Sequence, residues 1–335
     1  MKKPVLFLFS FILLFSLCGC SFKETLSSHN GEYIISAIGF DGLGDKIGIC
    51  LEAVIVNTED TDAERRLELI EGSGNTVEEA FYNASKKTSQ PFMLSHCSII
   101  ALGEGISPKR FTEINDFCYS SGEITLSAMF VGCKKATALL SSQAISSVAV
   151  GYDIASMLEQ QSRQTGINYK NCFYEIKAFK GKPLNTFSLP FLELTETGYY
   201  ISGLKIYKDY SETAVLGNNE TSLYAIITDT QSKGELMLEG ESVKIGSSYT
   251  TWNFEKDDKL KINLILKLQT ENGTDNHKKS IKRNIESLFY TTQQKGMDIF
   301  GLGNIIYNKE RDIWEDVKEN YEENFKNSVL TVELI

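Results

Sequence analysis

Few residues of this chain have the types and spacing that chemistry needs, and the first pair to consider is His96 with Cys97. A thiol beside an imidazole is the arrangement that activates a cysteine nucleophile. We predict a strand over residues 96–102, and neighbouring side chains on a strand point to opposite faces. The two groups could then not share a proton. The sequence therefore favours a plain structural role for this pair.

Phosphate and metal sites are equally poorly supported. The glycine-rich segments 39–45 and 301–303 lack the Gly-Lys-Ser/Thr of a phosphate loop and the full Gly-x-Gly-x-x-Gly of a dinucleotide site. The 44 acidic residues are scattered, and no Asp-x-Asp-x-Asp-Gly calcium loop occurs. We predict no catalytic residues, no cofactor and no metal site.

The chain contains seven cysteines, and they divide into two groups. Cys18 and Cys20 lie near the N-terminus, and the other five are widely spaced without a Cys-x-x-Cys motif. An odd number at such spacing is not typical of a disulfide framework or a zinc site. We predict that these five are reduced and lie in the core, where a free cysteine behaves as a small apolar residue. They are Cys50, Cys97, Cys118, Cys133 and Cys172.

The N-terminus reads as an export signal that ends in a lipid-attachment site. Lys2 and Lys3 precede an apolar run over residues 5–17, which is shorter than the roughly 20 residues that a membrane-spanning helix needs. Leu17-Cys18-Gly19-Cys20 resembles a lipobox. We predict a signal peptide over residues 1–19, lipid attachment at Cys20 and a tether over residues 20–30. The alternatives are an ordinary cleaved signal or an uncleaved anchor helix.

The charge of the chain restricts its partners. The formal net charge is −10, and removal of residues 1–19 takes away Lys2 and Lys3 and no acid, which leaves −12. Nucleic acids require clustered Lys and Arg, so we predict no nucleic-acid partner. Anionic lipid headgroups would also repel the protein, so the lipid anchor must hold it at the membrane.

The pattern of apolar residues predicts an α/β fold (mixed α+β) with two to three domains, each a mixed or antiparallel sheet flanked by helices. In the first part, the order β-β-α-β-α-β indicates a mixed sheet covered by helices. Thr76 and Glu79 form a capping box at one helix start, and Ser107-Pro108 begins another helix. The predicted segments are strands over 33–39, 47–56, 96–102 and 123–131, and a loop or irregular insertion over 57–74.

The second part is predicted with sharper boundaries toward the C-terminus. Residues 261–269 alternate as a strand, and a long helix over 278–298 buries a stripe that includes Ile281, Ile285 and Leu288. The further predicted segments are helices over 136–140, 147–161 and 219–229, a break over 181–190, strands over 199–207 and 213–216, a helix that carries Trp314, Val317, Tyr321 and Phe325, and a final strand. We assign residues 31–195 to an N-terminal region, either whole or divided near residue 136, and residues 199–335 to a C-terminal domain.

Five short motifs, in order along the chain, carry a resemblance to a known family. They lie at residues 37–41, 74–80, 94–104, 203–208 and 294–303, the last reading Gln-Lys-Gly-Met-Asp-Ile-Phe-Gly-Leu-Gly and followed by Trp314. The chain resembles the C subunits of nutrient germinant receptors of spore-forming bacteria, the Ger(x)C lipoprotein family. It departs from the family pattern at Ser21-Phe22, where members often have Trp-Asp, and at residues 209–211. An arginine common after the histidine-containing motif also has no clear counterpart.

The resemblance implies a function that the residues alone do not. It implies a non-enzymatic lipoprotein on the outer face of the spore inner membrane, which works with integral-membrane A and B subunits to sense nutrients and trigger ion release. Two other functions remain open. A substrate-binding lipoprotein of a transporter would have two similar lobes, but the sequence shows no internal repeat. A surface hydrolase would need a catalytic constellation, and the sequence shows no persuasive one.

Overall fold

Two β-sheets with flanking helices form the framework of the protein. The computed structural model describes residues 32–56, 65–178, 183–228, 233–238 and 240–335. The predicted signal peptide, Cys20 and the tether lie outside these residues. Within them, the large sheet has nine strands in the order β3-β2-β1-β5-β6-β7-β8-β9, with β4 beside β1, and the small sheet has the order β10-β11-β12-β13. The mixed α/β fold is thus confirmed.

The strands alternate with ten described α-helices along the chain. The strands are β1 (Glu32–Leu43), β2 (Lys46–Val56), β3 (Arg65–Gly74), β4 (Phe92–Met93), β5 (Ile99–Leu102), β6 (Met129–Cys133), β7 (Thr186–Thr195), β8 (Gly198–Lys208), β9 (Ser211–Leu216), β10 (Gly234–Leu238), β11 (Glu241–Lys256), β12 (Leu260–Thr270) and β13 (Val329–Leu334). The helices are α1 (Val77–Ser85), α2 (Pro108–Ser120), α3 (Ala136–Leu140), α4 (Val150–Thr165), α5 (Phe173–Ala178), α6 (Asn218–Ile227), α7 (Asp275–Gln294), α8 (Leu302–Lys309), α9 (Arg311–Val317) and α10 (Tyr321–Lys326).

The centre of the large sheet is parallel and is covered on both faces. Strands β1, β5, β6 and β7 run parallel, while β2 and β3 on one side and β8 and β9 on the other are antiparallel. Every residue of β5 and β6 is buried, as expected where both faces of a parallel sheet are covered. Helices α1 and α2 supply core residues on one face, for example Phe111. The opposite face shares one continuous core with α3, α4, α6, α7 and the small sheet.

Several predicted segments differ from the structure in the first part of the chain. The charged stretch 57–74 is not all loop, because its second half forms β3, paired antiparallel to β2. Edge strands carry charged residues that oppose further pairing, and these charges hide the strand pattern. The strand predicted over 123–131 begins only at Met129, since Ala128 closes a turn onto Thr125 and Leu126 is 55 % exposed. The strand predicted over 96–102 begins at Ile99.

The predicted break over 181–190 is also wrong in its second half, because β7 begins at Thr186 and contains Pro190. A proline lacks an N–H donor and is tolerated in a strand only where no ladder bond is needed. On its β6 side, β7 is paired only at Phe191 and Leu192, directly after the proline. The turn of the β7–β8 hairpin lies between Thr195 and Gly198, where the two predicted regions adjoin.

The C-terminal helices bury the predicted residues but have different limits. Helix α7 begins at Asp275, because Thr274 caps it by accepting a hydrogen bond from the His277 N–H, and it ends at Gln294 rather than at residue 298. Gly296, with φ +70°, follows this end in the left-handed conformation that glycine favours. The predicted helix around Trp314 is two helices, α9 and α10, joined by a 3₁₀ turn. Its four named residues are all buried, as predicted.

The two sheets are unlike each other, with nine strands in one and four in the other. A transporter-type binding lipoprotein would instead show two similar lobes. Over the described residues, no helix combines the length and apolar character needed to cross a bilayer.

Candidate functional site: a cleft beside the 297–303 turn

His96 and Cys97 lie in different environments. His96 is exposed at the end of a 3₁₀ turn (Leu94–His96), while Cys97 is buried and its thiol donates to the carbonyl of Ile99 at 3.3 Å. Burial raises the pKa of Cys97 to about 12. A thiol with this pKa stays protonated near neutral pH and is therefore a poor nucleophile. The sequence predicted that the two side chains lie on opposite faces of a strand. In the structure a 3₁₀ turn, not a strand, directs them into these different environments.

The five cysteines of the described chain are all free. Cys50, Cys97, Cys118 and Cys133 are buried as predicted, and Cys172 is half-buried. Burial raises the pKa of Cys50 to about 12 and that of Cys118 well above its ordinary value. Among the described residues, no three His, Cys, Asp or Glu side chains converge as metal ligands would.

Three buried carboxylates cap helix N-termini, and two of them cap helices that begin about a hundred residues later in the sequence. Asp41 accepts hydrogen bonds from the N–H groups of Ala136 (2.7 Å) and Thr137 (2.9 Å) at the start of α3. Glu52 accepts from Val150 (2.7 Å) and Gly151 (2.8 Å) at the start of α4. A helix N-terminus presents unpaired N–H groups and partial positive charge, so a carboxylate is a favourable partner there. These acids therefore hold helices on the large sheet.

The third such carboxylate, Asp298, organises the turn over residues 297–303. It accepts from the N–H groups of Leu302 (3.0 Å) and Gly303 (2.9 Å) at the start of α8, and from the hydroxyl of Tyr321 (2.7 Å). Burial raises the pKa of Asp298, although these three hydrogen bonds oppose the shift. Gly301 has φ +67°, which a side chain would strain. The last of the five motifs therefore includes a glycine-dependent turn built around a buried acid.

This turn forms one wall of a cleft between the large sheet and the C-terminal helices. The cleft has a volume of about 410 Å³ and is bordered by β7, β8, α6, α8 and the loop after α4. Ile299, Phe300 and Gly301 of the turn line it, facing Thr186 and Leu204 of the large sheet. Opposite walls are held together because Asn304 of α8 exchanges two hydrogen bonds with the backbone of Leu184, at 2.9 and 2.6 Å. Of these walls, only the turn belongs to a motif that the sequence analysis singled out, the one over residues 294–303.

Two family models match consecutive parts of the chain. The model described as the N-terminal domain of spore germination proteins matches residues 30–194. The model described as the C-terminal part of spore germination B3/GerAC-like proteins matches residues 202–334. The chain belongs to the Ger(x)C family. The resemblance to germinant receptor C subunits that the five motifs carry is thereby confirmed.

A solved structure shows the Ger(x)C fold directly. The crystal structure of the GerBC protein aligns with 89 % of this chain and 95 % of its own, with a TM-score of 0.51 and 13 % sequence identity. The curated proteins contain no match to this chain. Cys20, the predicted lipid site, lies before both matched segments and outside the described residues.

Proposed function

We propose that this Ger(x)C-family protein is the lipoprotein C subunit of a nutrient germinant receptor, anchored through Cys20 on the outer face of the spore inner membrane. It acts there without catalysis, together with an A-type and a B-type integral-membrane subunit, to trigger spore germination. The observation that carries the proposal is the pair of family matches over residues 30–194 and 202–334, directly after a lipobox-like sequence.

A binding role agrees with the chemistry of the described residues. Asp41, Glu52 and Asp298 are occupied as helix caps, and burial raises the pKa values of the thiols. Such groups stabilise the fold and are not available as nucleophiles or general bases. We infer that the subunit acts through the partners that it contacts.

The anchor gives such binding a physical advantage. Eleven residues, 21–31, separate Cys20 from the first described strand, and a chain of that length spans at most roughly 40 Å when fully extended. The folded part therefore remains close to the bilayer and to any integral-membrane partner. Confinement of this kind raises the effective concentration of the partners, so that modest interfaces suffice for assembly.

A deletion complemented in trans tests the proposal. Nutrient-triggered germination should fall, while germination by non-nutrient triggers should be retained, and the wild-type gene should restore the response. Complementation with Cys20→Ala should fail, whereas Cys18→Ala should succeed because Cys20 and Gly19 remain. Related receptors can overlap in function, so the strain should lack them. A normal nutrient response in that strain would contradict the proposal.

A further inference from the structure

Three exposed apolar side chains lie close together beside the large sheet, and we call them the edge patch. They are Tyr119, Leu126 and Tyr174, with 59 %, 55 % and 53 % of their surface exposed. The Tyr119 ring lies 6.4 Å from the buried ring of Phe173, and the next residue, Tyr174, donates its N–H to the Leu126 carbonyl at 3.3 Å. Single exposed apolar residues are ordinary, whereas neighbouring ones mark a contact surface.

The edge patch lies where the parallel strands begin, and the chain enters the large sheet at the same edge. Leu126 precedes the start of β6 by three residues, and helix α2 connects the end of β5 with this edge. Phe173 is held there because its N–H donates to the carbonyl of Ala128, just ahead of β6, at 2.8 Å. Strand β1 begins at this edge with Glu32 and lies two strands from β6, about 10 Å away.

The position of Glu32 relates this edge to the membrane anchor. Residues 21–31 can hold Glu32 no further than roughly 40 Å from Cys20. Strand β1 continues for 12 residues from Glu32 toward the opposite edge, a length of about 40 Å. The edge with the patch is therefore the part of the large sheet that the anchor keeps nearest to the bilayer.

The composition of the edge patch suits the layer where lipid meets water. Tyrosine combines an apolar ring with a polar hydroxyl and is enriched at membrane interfaces. The Tyr174 hydroxyl donates to the Glu175 carboxylate at 3.3 Å, so the polar end of this ring already has a partner. The chain as a whole is acidic, with a formal net charge of −10, so a contact with lipid has to come from apolar side chains rather than from charge.

We propose that the edge patch docks on the lipid bilayer itself, with the two tyrosine rings and Leu126 in the interfacial layer. Side chains in such a contact reach about 5–10 Å into the boundary between headgroups and acyl chains. A weak contact suffices, because the anchor keeps the patch at a high effective concentration beside the membrane. The proposal rests on the anchor in the proposed function and adds a second contact, which turns this edge toward the bilayer.

Quenching of tryptophan by brominated lipids measures the docking. The protein is purified from membranes with its anchor and reconstituted in phosphatidylcholine vesicles. Tyr174→Trp places a reporter in the edge patch, and Tyr200→Trp is the matched control. Tyr200 is 43 % exposed, its hydroxyl also donates to a glutamate, and it lies in the β7–β8 hairpin at the opposite edge.

Bromine near the glycerol end of the acyl chains should quench the Tyr174→Trp reporter and shift its emission to shorter wavelength. The Tyr200→Trp protein should be quenched no more than wild type, whose Trp252 and Trp314 are buried. Equal quenching of the two reporters, or none in vesicle-bound Tyr174→Trp, would overturn the proposal.

A charge in the edge patch tests whether these side chains make the contact. Leu126→Glu in the Tyr174→Trp protein should abolish the quenching, because a carboxylate opposes burial in lipid. Val215→Glu makes a similar change at a position that is 54 % exposed, on the edge strand β9, and should leave the quenching unchanged. Quenching that persists in the Leu126→Glu protein would overturn the proposal.

Flotation of the vesicles distinguishes a failure of the docking from a failure of the proposed function. Protein that floats with the vesicles but shows no quenching at position 174 contradicts the docking and leaves the anchor intact. Protein that carries no lipid and does not float contradicts both. Quenching at position 174, together with a normal nutrient response in the deletion strain, would contradict the receptor role alone.

Discussion

Asp153 offers the sharpest test of how the fold around α4 is stabilised. Its carboxylate accepts hydrogen bonds from the N–H groups of Ile145 and Ser146, each at 3.0 Å, and from the hydroxyls of Ser146 and Tyr199. One buried acid thus connects the loop before α4 with strand β8. Asp153→Ala removes all of these bonds at once and should destabilise the protein.

The size of the expected loss in stability depends on which hydrogen-bond donors remain buried without a partner. Tyr199 is only 5 % exposed, so its hydroxyl would remain unpaired at a cost of about 1–3 kcal/mol. Ile145 is 64 % exposed and Ser146 is also exposed, so water can replace much of what their N–H groups lose. Together we expect a loss of about 3 kcal/mol in the free energy of unfolding.

The loss should also depend on pH, and its sign is fixed by the pKa of Asp153. Burial raises this pKa, but the hydrogen bonds from Ser146, Tyr199 and Ile145 outweigh burial and lower it below its ordinary value. A carboxyl group with a lowered folded-state pKa stabilises the protein above its unfolded-state pKa. That stabilisation disappears as the pH falls through the folded-state pKa. The difference between wild type and variant should therefore be full at neutral pH and shrink in acid.

Urea unfolding followed by circular dichroism, at about pH 7 and about pH 3, measures both effects. Tyr199→Phe removes one donor and should cost less than Asp153→Ala. Glu159→Ala on the same helix breaks only an exposed pair with Arg163 and should cost less than about 1 kcal/mol. A loss at Asp153 no larger than that at Glu159, or a difference that grows in acid, would refute the reasoning.

Three further predictions concern packing. Trp314→Ala should lower the free energy of unfolding by about 3–5 kcal/mol, because the ring is 8 % exposed and packs on Tyr321 at 5.6 Å; a loss below about 1 kcal/mol would contradict this. A thiol reagent should modify half-buried Cys172 of the native protein well before the four buried cysteines, as mass spectrometry of peptides would show; simultaneous labelling would contradict the burial. Gly203→Ala should destabilise the protein by more than about 2 kcal/mol in thermal unfolding, since Gly203 has φ +149° and an added Cβ would lie 1.9 Å from the Leu216 carbonyl oxygen. Gly217→Ala is the control, because a Cβ added there has no atom within 4 Å.

Local patterns along the sequence predicted the elements that carry them. Helix α3 occupies its predicted residues, and β12 begins one residue before the predicted strand and ends one residue after it, because its alternating apolar residues face a single core. Half of the predicted capping box is confirmed, since Thr76 accepts from the Glu79 N–H at 3.1 Å. The Glu79 carboxylate accepts from the Asn75 N–H, at 2.7 Å, rather than from the N–H of Thr76. Strands β3 and β7 were not predicted, because charged residues in β3 and a proline in β7 obscure the alternation typical of a strand. Both segments form strands because they pair with neighbouring strands, and that pairing is not visible in a local pattern.

Contacts between distant residues could not be read from the sequence. Asp41 and Glu52 cap helices that begin about a hundred residues later, so neither resembles a local capping residue. The cleft draws its walls from segments around residues 167–171, 186–188 and 299–308, which only the assembled fold brings together. The lipid site at Cys20 lies outside the described residues and stays a prediction.

The most direct test of the central claim is purification of the protein from spore inner membranes, followed by mass spectrometry of its partners. A mild detergent and an affinity tag at the C-terminus would leave the lipobox untouched. We predict that an A-type and a B-type germinant receptor subunit copurify with the wild-type protein from the membrane fraction, and that neither copurifies with the Cys20→Ala variant. A complex that contains transporter components and no germination subunit would contradict it.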